Sequence, residues 1–207
     1  MSDINELKVK VLDFTIGLET VQTPFLADSR PVGSPSNVSF LIDAPDAYLT
    51  GRDGASVTLL LDRQERKREL PDGCYQIVHD PLGFTSDFRT WAEHVSACLR
   101  EALIGVGLIC VDFADFQTVL ADCHGKLLTV DIIPFDDAFV IPHERLTRTH
   151  FRTLYAALLG GTDLTLSLFQ DVCESLHQGS PDLTVDKFGM KITSFNPPQI
   201  VLLGELF

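Results

Sequence analysis

The 207-residue chain has no run of glycines of the kind that cradles phosphate, and no Walker-type lysine motif. In such loops successive backbone N–H groups at a helix N-terminus form the anion nest. The 14 glycines here are scattered, and Gly33, Gly51 and Gly54 read as isolated turn residues. No nucleotide or other cofactor is therefore expected to bind to this chain alone. Positive charge is also scarce. Against 29 Asp and Glu stand 16 Lys and Arg, a net charge of −13, which repels nucleic acid and anionic membrane surfaces alike. No apolar run approaches the roughly 18 residues that cross a bilayer, and Ser2 to Lys10 is too polar for a signal peptide. The five cysteines include no Cys-x-x-Cys pair. Cys98, Cys123 and Cys173 fall on the apolar sides of expected helices, as free thiols do in a reducing cytoplasm. The six histidines keep no metal-ligand spacing with Cys or carboxylates, and no serine sits in a nucleophile elbow. With 1 Trp and 3 Tyr against 14 Phe, the aromatics read mainly as core filler.

What is present divides into two halves. In the first, β-like segments alternate with turn-rich loops: Leu7 to Phe14, Asn37 to Ile42, Ser56 to Asp62 and Cys74 to His79. Between them lie Ser29 to Ser36, rich in Pro, Gly and Ser, and the Arg-Asp-Gly turn of Thr50 to Gly54. The basic residues cluster once, at Arg63, Arg66, Lys67 and Arg68, interrupted by Glu65 and Glu69. That pattern reads as a solvated turn or helix end.

From residue 85 the period becomes helical. Phe88, Trp91, Ala92, Val95, Cys98, Leu99, Ala102 and Leu103 line one face, with Ser86 as a cap and Gly105 as the stop. This helix is expected to lead straight into a loop carrying Asp112 and Asp115. A second helix follows, with Phe116, Val119, Leu120 and Cys123 inward and Gly125 at its end. Next come a strand over Lys126 to Ile133, a short helix over Glu144 to Phe151 and a buried strand over Arg152 to Leu159. Thr165 then caps a third long helix closed by Gly179, and two strands, Leu183 to Phe195 and Gln199 to Leu206, end the chain. Helices packed on a mixed sheet suit that order, so the fold class is α/β (α+β).

Asp112 and Asp115, three residues apart, share one side of a helical turn. Acids at a helix start interact favourably with the helix dipole, by about 0.3–1 kcal/mol each, and spacing alone asks for nothing more. Asp163, in a Gly-Gly-x-Asp turn, reads as a structural cap.

Two longer stretches go further. Gly-Leu-Ile-Cys-Val-Asp-Phe-Ala-Asp-Phe-Gln-Thr-Val-Leu at 107–120 resembles the synergy loop of the FtsZ/tubulin family, in which a glycine, an asparagine and two acids precede a helix. Leu-Leu-Gly-Gly-Thr-Asp-Leu-Thr-Leu at 158–166 resembles that family's strand–Gly-Gly-x-Asp-Leu turn before the last large helix. From about residue 86 to 207 the chain thus resembles the family's central helix and C-terminal domain. The expected organisation is a small β-rich module at 1–84, a connecting helix at 85–106 and an FtsZ C-terminal-like domain at 107–207. The nucleotide-binding domain is missing or replaced.

In the family, the synergy-loop face docks on the nucleotide face of the next subunit, and its two acids position water for hydrolysis of the GTP held there. The resemblance implies a binding face of Cys110, Asp112, Phe113 and Asp115, with Asp112 and Asp115 as vestigial catalytic candidates. Cys110 stands where the family has asparagine, which removes an amide from the nucleotide side of the loop. The expectation is a cytoplasmic non-GTPase that acts by protein–protein binding rather than as an enzyme. It would cap or regulate a filament of an FtsZ/tubulin-like partner, since a heterologous contact with one working face cannot propagate, or self-assemble where the N-terminal β module supplies the second contact. The alternative is a structural scaffold that keeps the fold without any link to such filaments.

Overall fold

The computed structural model describes residues 7–15, 37–46, 48, 55–80, 87–135 and 140–207. The expected Ser86 cap and the turns at 29–36 and 50–54 lie outside these residues. The chain forms two compact units, Met1–Ala97 and Cys98–Phe207, with the boundary inside a helix.

In the first unit four strands run parallel in chain order: β1 (Val9–Asp13), β2 (Val38–Ile42), β3 (Val57–Asp62) and β4 (Cys74–Val78). Val9 pairs with Val38 and Val38 with Val57, so the strands begin level with one another. Every residue of β2 and β3 is buried. Strands covered on both faces read as near-continuous apolar runs, and Phe40-Leu41-Ile42 and Leu59-Leu60-Leu61 do so. Helix α1 (Phe88–Ile104) begins in this unit, where its Phe88 and Trp91 rings lie 5.8 and 5.1 Å from that of His79. The α1 N-terminus is held by Asp87, whose carboxylate accepts the Thr90 N–H at 2.8 Å.

The basic cluster after β3 departs from the solvated turn its sequence suggests. Arg68 is nearly buried and ion-pairs with the fully buried Asp62 at 2.9 Å, while Arg66 pairs with Asp43. Asp62 directly precedes the cluster, but Asp43 lies some twenty residues upstream, beyond the end of β2, so the local charge pattern carried no trace of that partner.

The second unit is built on a five-stranded sheet in the order β6-β9-β7-β8-β5: β6 (Leu127–Pro134), β9 (Gln199–Leu206), β7 (Phe151–Gly160), β8 (Val185–Ile192) and β5 (Val106–Ile109). β7 and β8 are parallel, and the other three pairings are antiparallel. This is the mixed α/β architecture expected from the order of elements. Helix α4 (Leu166–Gly179) packs Val172 and Leu176 against Leu154, Ala156 and Leu158 of β7 and Ile200 and Leu202 of β9. The opposite face of β7 carries Tyr155, whose ring meets Phe116 of α2 (Phe113–Asp122) edge-on at 5.0 Å. A short helix, α3 (His143–Leu146), precedes β7.

Two expectations are corrected here. The first long helix does not lead directly into the two-aspartate loop, because β5 intervenes and pairs with β8. The short helix expected to reach Phe151 stops at Leu146, and Phe151 instead opens β7 opposite Leu206.

The Gly160-Gly161 turn divides its labour. A Cβ at Gly160 would come within 2.9 Å of Pro198 and 3.0 Å of Leu164, whereas one at Gly161 would meet nothing within 4 Å. The cap of the following helix is Thr165, which accepts the Leu168 N–H at 3.2 Å.

Candidate functional site

The candidate residues Cys110, Asp112, Phe113 and Asp115 all sit where β5 passes into α2, and the local sequence explains the geometry. Asp112 takes an extended conformation (φ −100°, ψ −177°) suited to an N-cap. Its Oδ1 accepts the Asp115 N–H at 2.9 Å, and Asp115 Oδ2 accepts the Asp112 N–H at 3.2 Å. This reciprocal capping box satisfies two of the orphan donors of the first turn. The three-residue spacing therefore has a structural job whatever else it does.

The two acids differ beyond that shared role. Asp115 Oδ1 is ion-paired with Lys187 of β8 at 2.9 Å. The Lys187 ammonium, together with the Asp112 N–H, holds the Asp115 carboxyl below the usual carboxylate range. Asp112 is exposed.

A second lysine of β8 supports the loop from beneath. Lys191 is buried, 4% exposed, and donates to the Val111 carbonyl at 3.1 Å. Burial lowers its ammonium from the ordinary lysine value, against the opposing pull of Cys110 and Asp112. Between the two lysines on the same strand face, Gly189 lets Val111 approach; a Cβ there would lie 3.1 Å from Val111 Cγ2. Lys187, Gly189 and Lys191 alternate along one face of β8, and all three serve this loop. Neither lysine stands out in the sequence. Their signal was two lysines bracketing a glycine at period two, in a segment otherwise reading as an ordinary strand.

Apolar surface borders the acids. On β5, Val106 and Leu108 are 74% and 49% exposed on one face, and Ile104 at the end of α1 is 41% exposed. Phe113 is half-buried and stacks on Phe116 with ring centroids 6.3 Å apart. Cys110 is exposed, its Sγ 3.8 Å from the Gly107 carbonyl. The site is thus an exposed carboxylate and thiol beside a short apolar edge strand, on a loop braced by two lysines.

Elsewhere in the same unit, His177 Nε2 lies 2.7 Å from Asp186 Oδ2, and Cys173 stands one helical turn earlier. Burial, helped by Asp186, pushes the Cys173 thiol up to about 11. No helix among the described residues is long and apolar enough to cross a membrane.

No model of a known protein family matches the chain, and no curated protein does either. Solved structures do. The empty FtsZ dimer of M. jannaschii superposes with a TM-score of 0.53 at 17% identity, covering 81% of this chain and 62% of that one. CetZ from Methanosaeta thermophila strain DSM 6194 gives 0.53 at 13% identity, covering 83% and 61%. The chain therefore spans about three fifths of the length of the structures it matches. Such a likeness describes architecture, and on it the chain has the tubulin-like fold of FtsZ and CetZ.

Proposed function

We propose that this chain is a non-GTPase member of the tubulin-like group that works by binding, docking on an FtsZ-like filament subunit through the face formed by β5 and the N-terminus of α2. One observation supports this most: Asp112 and Cys110 are exposed beside exposed Val106 and Leu108, the mixture of apolar centre and polar rim that a protein interface needs. A binding role is favoured over a chemical one by the ion pair at Asp115. A carboxylate already committed to Lys187 and to the Asp112 N–H is poorly placed to orient water. The absence of a glycine-rich phosphate loop from the sequence points the same way. A subunit with one working face joins a filament end and accepts no successor, which makes it a cap or length regulator.

The test is a sedimentation assay with a polymerising FtsZ and GTP. Substoichiometric chain is expected to lower the polymer pelleted and the rate of phosphate release in parallel. Unchanged polymer and unchanged release at several-fold excess would exclude the capping function.

A further inference from the structure

A second cluster of charged side chains lies in the first unit. The sequence places Arg63, Arg66 and Arg68 in the irregular segment after β3, and the structure lays that segment against the carboxyl ends of the parallel strands. Asp43 directly follows β2, and Asp62 is the last residue of β3. In open α/β sheets the region beyond the carboxyl ends of the strands is the usual place for a ligand. At the ends of β2 and β3 the chain's own charges occupy it.

Arg66 pairs with Asp43 and donates from Nη1 to the Ala44 carbonyl at 2.8 Å. Arg68 donates from Nη2 to that same carbonyl at 2.8 Å and to Asp62 Oδ1 at 2.9 Å, and from Nε to Asp46 at 3.2 Å. Arg63 closes on Asp43 at 3.1 Å and lies over the Phe88 ring at 4.7 Å. Gln76 of β4 donates to the second Asp62 oxygen at 2.6 Å. Asp43 adopts a left-handed backbone, φ 52°, at the point where the arginines converge; that conformation is uncommon outside glycine, asparagine and aspartate. Three carboxylates thus face three guanidinium groups. The innermost members are shielded from salt, since the Asp62 side chain is 0% and that of Arg68 8% exposed, whereas Asp46 is 74% exposed.

We propose that residues 63–70 form an ion-pair latch across the carboxyl ends of β2 and β3, which fills with internal charge the place an anionic ligand would take there, and which opens when its aspartates are neutralised. An opened latch frees Arg66 and Arg68, whose planar forks match a phosphate group.

The experiment combines limited trypsin digestion of the full chain with pyrophosphate titration. In the wild-type chain, cleavage after Arg66, Lys67 and Arg68 is slow, because the segment must detach before a protease can thread it. Asp43→Asn is expected to raise the cleavage rate at these three bonds at least ten-fold while cleavage in the second unit stays at the wild-type rate. Asp62→Asn goes further if it folds; should it not, Asp43→Asn and the exposed Asp46→Asn carry the test. Pyrophosphate should neither bind nor protect the wild type, and should bind the Asp43→Asn/Asp46→Asn double variant at least ten-fold more tightly. Equal cleavage in wild type and Asp43→Asn overturns the latch. So does pyrophosphate binding to the wild type that Arg66→Ala/Arg68→Ala abolishes, or a double variant with no gain in pyrophosphate affinity. None of these readouts depends on FtsZ, so the outcome is separate from that of the docking assay.

Discussion

Asp62 and Asp112 are the same residue type put to opposite uses in the two units. Asp62 ends a buried parallel strand and is enclosed by Arg68, Arg66 and Gln76; burial still raises its carboxyl above the usual range despite those partners. Asp112 begins a helix, caps it with one oxygen and remains exposed. The first arrangement consumes charge inside the unit, and the second displays it. A carboxylate matched on all sides is a structural element with little left for a partner. One held by backbone donors alone keeps a charge to offer. The contrast separates the unit organised around an internal network from the unit that carries an accessible face.

The contrast can be broken most severely at Asp62. Asp62→Ala leaves the nearly buried Arg68 without its inner partner, and removing one member of a buried pair costs about 3–5 kcal/mol. Urea unfolding should show a loss in that range, and a loss below roughly 1 kcal/mol would mean that the network is not what holds the strand ends. At the other pole, Asp112→Ala removes a helix cap and should cost about 1 kcal/mol. Asp112→Asn caps equally well, so its thermal midpoint should stay near wild type while the effect on FtsZ sedimentation falls at least several-fold. A joint loss of stability and activity in Asp112→Asn would make the residue merely structural.

Smaller still is Lys187→Met, which deletes the partly exposed ion pair to Asp115 for about 0.5 kcal/mol; a double-mutant cycle with Asp115→Asn reads that coupling directly. The pH dependence follows from the same pair. Asp115 is held below the ordinary range in the folded chain, so it contributes stability above the unfolded value of about 3.9 and loses it as pH falls through the lower folded value. Urea midpoints measured from pH 5 to pH 2 should fall less steeply in Asp115→Asn than in wild type. Parallel curves would show that the pair does not couple to folding.

Much of this was legible in the sequence because it rests on local periodicity and capping. Helix α1 was marked by its apolar face, α2 by Asp112 at its start and α4 by Thr165, and the caps Asp112 and Thr165 form the hydrogen bonds their residue types allow. Strands β1 to β4 each fall within the segment expected for them. β5 escaped because Val106-Gly107-Leu108-Ile109 turns its apolar residues outward and owes its strand character to pairing with β8, some eighty residues away. The end of α3 was overrun because Phe151 is claimed by β7, where pairing with β9 outweighs a short helical pattern. Lys187 and Lys191 were missed for the same reason, since nothing near them in sequence reveals that their strand face meets Val111 and Asp115.

Elements whose free energy is local can be read from the chain alone: the long amphipathic helices, the Asp112 and Thr165 caps, the β-like runs of Phe40-Leu41-Ile42 and Leu59-Leu60-Leu61, though not their parallel pairing, and the adjacency of Cys110, Asp112, Phe113 and Asp115 within six residues. Which charges are spent and which are displayed is settled by the packing of distant segments. Arg66 finds Asp43 and Arg68 finds Ala44 because β2 and β3 lie side by side, and Lys187 finds Asp115 because α2 packs on β8. Electrostatic pairing depends on distance and burial, and neither quantity exists until the strands have been brought into register.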